Sequence, residues 1–166
     1  LDDEVTAIIK LGSAKYLMGY NNGLQIWKGD EKVQTIYGDQ RLVGHPKFRI
    51  TNFDRDKNGI VWVSSNLKGL GRFDPKTSKI EFEQSPDQAF VTSVRVVGDS
   101  LYIAARENLY LSSITDRKSG LFKKNITKEV LKALKDLKSS EPEVYQKFFS
   151  ELGQIVKEGI RIDFEH

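Results

Sequence analysis

Three sets of apolar positions recur at nearly constant spacing, and a repeat of this length restricts the chain to modular architectures. Ile8, Phe53 and Val94 lie 45 and 41 residues apart; Leu17, Trp62 and Tyr102 lie 45 and 40 apart; Leu24, Leu70 and Leu109 lie 46 and 39 apart. Each unit reads as consecutive short strands. Residues 5–9, 16–19 and 23–27 form the first set, 50–53, 60–64 and 69–73 the second, and 91–94, 101–104 and 108–111 the third. These runs are rich in β-branched and aromatic residues and are bounded by Gly, Asn and Asp. Asn21-Asn22-Gly23, Asp56-Lys57-Asn58-Gly59, Asp74-Pro75-Lys76-Thr77 and Gly98-Asp99-Ser100 supply the turns. Gly and Asn tolerate the positive φ that tight hairpins need.

A period of about 40–45 residues with four strands per unit is the pattern of a β-propeller blade. The small residues Gly19, Ser64 and Ala104 follow the second strand of each unit, where they let neighbouring blades crowd near a central axis. The expected fold class is mostly β with an α tail. Three propeller-like blades occupy residues 1–115, a polar linker 116–120, and a two-helix hairpin 121–166. Three blades form an incomplete ring, since closure takes about four to eight. Open blade edges and uncovered apolar faces invite protein–protein contacts, a homo-oligomer among them.

The middle unit is the most regular. It reads Ile50-Thr51-Asn52-Phe53-Asp54-Arg55-Asp56-Lys57-Asn58-Gly59-Ile60-Val61-Trp62-Val63, then Gly69-Leu70-Gly71-Arg72-Phe73-Asp74-Pro75. This stretch resembles the regulator-propeller repeat of the extracytoplasmic sensor regions of hybrid two-component histidine kinases. The first unit keeps Gly23-Leu24 and lacks the acidic turn; the third has Asn108-Leu109 in place of Gly-Leu. The resemblance covers about residues 5–114. It implies a periplasmic, non-catalytic module that senses a small-molecule or glycan ligand. Tyr20, Trp27 and Trp62 are the candidate ligand-lining residues, with packing between blades as their alternative role. Asp54-x-Asp56-x-Asn58-Gly59 also copies the opening of an EF-hand loop. That loop needs a bidentate Glu at its twelfth position, flanked by helices. Ser65 stands there, so the stretch reads as a hairpin turn and no metal site is expected.

Beyond Ile114 the apolar period changes from 2 to 3.6. Val130, Leu131, Leu134 and Leu137 fall on one helix face. The helix should stop at Ser139-Ser140, because Pro142 disfavours helical geometry before it. Ser140 with Glu143 suggests a capping box for a second helix. Tyr145, Phe148, Phe149, Leu152, Ile155 and Val156 form its stripe, and Glu158-Gly159 its end. The run Tyr145-Gln146-Lys147-Phe148-Phe149-Ser150-Glu151-Leu152-Gly153-Gln154-Ile155-Val156-Lys157-Glu158-Gly159, with residues 126–134 and Asp163-Phe164-Glu165, resembles the middle domain of the ninety-kilodalton heat-shock chaperones. That resemblance covers residues 121–166 and implies a cytoplasmic, ATP-dependent chaperone as the alternative parent. The arginine with which that family contacts the ATP γ-phosphate is not carried over to Arg117, because residues 111–117 depart from its pattern. The chain opens on Leu1 with no basic-then-apolar leader, and two unrelated resemblances meet near residues 115–121. A fragment or a chimera is the expectation.

The catalytic inventory is thin. Cysteine is absent, which removes thiolate chemistry and disulfides. His45 sits beside Pro46 in a connection, and His166 has no second histidine near it. No Walker loop, G-x-G-x-x-G or G-x-S-x-G occurs. Glu81 and Glu83 alternate on a strand and face water, where a carboxyl lacks the raised pKa of a general acid. The reading is no enzyme and no cofactor. Residues 1–116 carry 15 basic and 15 acidic side chains, and residues 117–166 carry 11 and 8. So diffuse a surplus is too small for a nucleic-acid footprint. Lys123, Lys124, Lys128, Lys132, Lys135 and Lys138 read as the solvated face of a helix. No apolar run approaches the ~18 residues of a membrane span.

Overall fold

A computed structural model describes residues 4–45, 47–115 and 120–156. Expectations at Pro46, at linker residues 116–119 (Arg117 among them), at the helix stop Glu158-Gly159, at Asp163-Phe164-Glu165 and at His166 lie outside the described residues. So do the side chains of Leu152, Ile155 and Val156.

Among the described residues the chain is mostly β, with three four-stranded antiparallel sheets, two helices after them and no closed barrel. The first sheet runs β1 (Val5–Gly12), β2 (Lys15–Tyr20), β3 (Gly23–Lys28) and β4 (Glu31–Gly38) in chain order. The second runs β5 (Ile50–Arg55), β6 (Val61–Ser65), β7 (Gly69–Asp74) and β8 (Lys79–Glu83). The third runs β9 (Val91–Val97), β10 (Ser100–Ala105) and β11 (Asn108–Ser113), with β12 (Lys124–Asn125) on its outer edge. All four expected turns fall between strands.

Two apolar layers hold the sheets together, and β6 serves both. Every β6 residue is buried, and successive side chains point to opposite faces. Val61 and Val63, with Phe48, Ile50 and Phe73, pack against Leu17, Leu24 and Ile26 of the first sheet. Ile60 and Trp62, with Leu70, pack against Val91, Val94, Leu101, Ile103, Ala105 and Tyr110 of the third. The middle sheet is therefore apolar on both sides. A strand buried on both faces loses simple polar alternation and reads as a continuous apolar run, as residues 60–63 do. Gly19 is needed at the first seam, because a Cβ there would lie 2.8 Å from the Cβ of Ile50 and 3.2 Å from the Phe53 ring.

The third sheet takes its outer strand from residues expected in the helical tail. Tyr110 pairs with Asn125 and Leu111 with Lys124, while Phe122 and Ile126 are buried. A two-residue strand has too little period to be seen in a sequence. α1 (Thr127–Ser140) and α2 (Pro142–Val156) follow, with Glu141 between them. α1 stops where Pro142 requires. The expected cap does not form. Ser140 is the last helical residue and its hydroxyl donates to the Asp136 carbonyl at 2.9 Å. With Pro142 opening α2, the capping position falls on Glu141 instead. The six lysines are all exposed, but Lys123 and Lys124 precede α1, and Lys124 belongs to β12. On the helices, Val130, Leu131, Leu134, Leu137, Tyr145 and Phe149 are half-buried, and Phe148 remains 40% exposed.

Candidate functional site

Polar residues of the D-x-D-x-N-G unit occupy the seam between the second and third sheets. Asn52 mimics a strand neighbour: its side-chain carbonyl accepts the Val94 N–H at 2.9 Å and its amide donates to the Val94 carbonyl at 2.9 Å. Two residues on, and so on the same face, the Asp54 carboxylate accepts the Val96 N–H at 2.7 Å. β5 and β9 are thus linked through side chains rather than by a shared ladder. A charge-assisted bond of this kind contributes about 1.5–3 kcal/mol. Ser64 Oγ accepts the Asn52 N–H at 3.0 Å and lies 2.6 Å from Thr51 Oγ1.

Asp56 is buried and fully engaged. One carboxylate oxygen accepts the N–H groups of Asn58 and Ile60 at 2.8 and 3.1 Å; the other accepts Trp62 Nε1–H at 3.0 Å. The carboxylate closes the turn and anchors the indole that fills the second apolar layer. The turn reading of the EF-hand-like stretch stands, since Asp56 directs its oxygens at N–H donors and Asp54 directs its own at Val96 and Arg55.

The three candidate ligand residues do not converge. Tyr20 and Trp27 share the face of the first sheet turned away from the second. Tyr16 pairs with Trp27 and Met18 with Gln25 on that face, alternating with Leu17 and Ile26 on the other. Tyr20 is 4% exposed and donates to Met18 Sδ at 3.8 Å. Trp27 is half-buried, its indole N–H bonded to Gln25 Oε1 at 3.1 Å. Trp62 lies at the other seam, 3% exposed. His45 is exposed in the β4–β5 connection. In the same connection, hydrogen bonds from the Arg41 guanidinium hold the Asp39 carboxyl below its usual value. Among the described residues no cluster of His, Asp and Glu has metal-binding geometry.

A cleft of about 350 Å³ opens where the outer half of the second sheet faces the end of β11. Trp62, Leu70, Ile114 and Leu121 supply its apolar lining; Arg72, Glu81, Glu83 and Ser113 supply polar groups. Both Glu83 oxygens accept the Leu121 N–H, at 3.2 and 3.3 Å, which ties the approach to β12 onto β8. Sequence reasoning read Glu81 and Glu83 only as solvated and passed over Arg72. Their pairing could have been seen, because Arg72 and Glu81 lie at facing positions of a short hairpin. The cleft could not, because its far wall is more than 30 residues away along the chain.

No helix among the described residues is long and apolar enough to cross a membrane. No family model matches the chain. The chaperone protein HtpG of Mycobacterium ulcerans is 41% identical over 51 residues, 31% of this chain and 8% of that protein. The HtpG of Salinispora arenicola matches over the same length at the same identity. Two crystal structures from B. thetaiotaomicron have a similar fold, each the extracellular domain assigned to a hybrid two-component system. One has a TM-score of 0.53 at 23% identity over 68% of this chain, the other 0.53 at 14% over 75%. The chain spans 16% of each of those two chains. What it shares with these extracellular domains is the fold.

Proposed function

We propose that the chain is a non-catalytic, ligand-sensing module, part of a periplasmic propeller of a two-component sensor, with its three sheets as successive blades. The observation that carries this reading is the stacking of three like sheets in chain order, each joined to the next through its first strand. The similarity in fold to extracellular domains assigned to hybrid two-component systems supports it. In this reading residues 1–115 are the blade region and 116–120 the linker, and the 121–166 tail supplies the third blade's outer strand, Lys124–Asn125, before its helices. Tyr20 and Trp27 remain proposed ligand contacts on one face of the first sheet, and Trp62 a separate one at the other seam. A thermal-shift screen of the intact chain against oligosaccharides and small metabolites tests it. A ligand that raises the melting temperature, and whose effect is lost in Trp27→Ala, is the expected result. Silence across the panel counts against it.

The same reading assigns a role to the two end faces. Ile8, 57% exposed, lies opposite Met18 on the outer face of the first sheet. Val97, 59% exposed, lies on the outer face of the third with Tyr102 and Leu111. These faces repeat the positions that pack inside the molecule, so copies of the chain associate through them. Sedimentation velocity should show concentration-dependent oligomers that Ile8→Lys dissolves. A monomer at all concentrations would refute this.

A second reading rests on the identity with HtpG over 51 residues. In it the helical tail derives from a cytoplasmic, ATP-dependent chaperone and offers a protein-contact surface through Val144 and Phe148, which are 48% and 40% exposed.

A further inference from the structure

The cleft beside β8 holds charges of both signs that do not neutralise each other. Arg72 and Glu81 are direct cross-strand partners, a placement that brings Cβ atoms to about 5 Å. Yet among the described residues neither side chain has an ion-pair or hydrogen-bond partner. Arg72 is half-buried and Glu81 exposed. Glu83 is already committed to the Leu121 N–H. The cleft therefore presents one cationic fork and one carboxylate side by side, above an apolar wall of Leu70, Ile114 and Leu121.

That combination selects against simple ions. An anion drawn to Arg72 meets Glu81 and Glu83; a cation drawn to Glu81 meets Arg72. A ligand carrying both charges on neighbouring atoms satisfies both poles. The guanidinium offers the planar, two-pronged donor geometry that a carboxylate accepts, and Glu81 accepts from an ammonium. A volume of about 350 Å³ is at the lower end of small-molecule sites and suits one amino acid rather than an oligosaccharide. We propose that this cleft binds a free α-amino acid with an apolar side chain, its carboxylate on Arg72, its ammonium on Glu81 and its side chain against Leu70, Ile114 and Leu121. This deepens the sensing reading, on which it rests, by naming a ligand class and a site separate from Tyr20 and Trp27.

Calorimetric titration of the intact chain with L-leucine, L-methionine and L-phenylalanine tests it. Leucinamide and N-acetylleucine serve as analogues lacking one charge each, with an oligosaccharide panel alongside. The amino acids should bind, and each analogue should bind at least about tenfold more weakly, the loss of one charge-assisted contact. Arg72→Gln and Glu81→Gln should reduce leucine affinity by a similar factor, and Trp27→Ala should leave it unchanged. Both cleft positions reach solvent, and the analogues probe the same contacts without any mutation. Leucinamide binding as tightly as leucine would overturn the assignment. So would sugars that bind while amino acids do not, an outcome that leaves the sensing reading standing. No heat from either class up to about 10 mM, a free energy weaker than about 3 kcal/mol, would remove both.

Discussion

Gly69→Ala should lower the stability of this chain by about 3 kcal/mol or more, a fall of roughly 6–12 °C in melting temperature. Gly69 has φ +90, and an added Cβ would run into the Glu83 carbonyl oxygen and lie 2.8 Å from the Gln84 Cα. Those atoms are backbone of the neighbouring strand and cannot rotate away. The left-handed conformation adds about 1–2 kcal/mol for any residue with a Cβ. At Gly23, the same place in the first unit, an added Cβ would meet the Tyr37 carbonyl and lie 2.9 Å from the Gly38 Cα, without the positive φ. Its alanine variant should be damaging but milder. Gly71→Ala should be milder still, about 1 kcal/mol, since its Cβ would meet the Phe82 ring and the Ile80 tip, which can shift. Thermal melts of the three variants give the order. Equal losses at Gly69 and Gly71 would contradict the steric account. The third unit explains itself in the same terms. Asn108 stands in place of glycine, and the fourth strand there is only Lys124–Asn125, which pairs with Tyr110 and Leu111 and stops short of it. The Asn108 side-chain carbonyl instead accepts from Asn125 Nδ2 and Thr127 Oγ1 at 3.0 and 3.3 Å.

Asp56→Ala is expected to cost about 3–4 kcal/mol, read as a lower urea midpoint with an unchanged slope. The substitution orphans three donors at once, the buried Ile60 N–H and Trp62 indole and the half-buried Asn58 N–H. A buried donor left without an acceptor costs about 1–3 kcal/mol, and the turn that organises β5 and β6 loses its closure. Asp56→Asn separates the contributions. Its amide oxygen can still accept from the turn, but its NH₂ then faces the indole N–H, donor against donor. It should lose less than alanine does and shift Trp62 fluorescence. Asp54→Ala, which frees only the Val96 and Arg55 N–H groups, should cost less than Asp56→Ala. An Asp56→Ala variant within about 0.5 kcal/mol of the parent chain would show that the carboxylate is not what holds the hairpin.

The two sets of variants mark how the repeat works. Gly-Leu is a steric requirement of a fourth strand crossing close above the third. Asp-x-Asp-x-Asn-Gly combines a bond to the next sheet with closure of the turn and an anchor for the indole. Where a unit lacks one of these features, the structure shows what replaces it or what is left unmet. Gly19 stands where Ser64 does in the second unit, so Thr6 has no hydroxyl partner like that of Thr51, and its buried oxygen is unsatisfied among the described residues.

Strands, turns and the end of α1 were legible because their causes are local. Period-2 alternation places Leu17 and Ile26 on one face and Tyr16 and Trp27 on the other, Gly and Asn set the turns, and Pro142 ends α1 wherever the rest of the chain lies. The repeat itself announced three like sheets. What only tertiary structure decided depends on residues far apart in sequence: the seam bonds from Asn52 and Asp54 to β9, the short outer strand at Lys124–Asn125, and the cleft in which Arg72 and Glu81 face Ile114 and Leu121. The physical reason is that a side chain's polar partner is chosen by which sheet comes to lie beside its own. Alternation tells which way Asn52 points; only the packed sheets supply the Val94 peptide it meets.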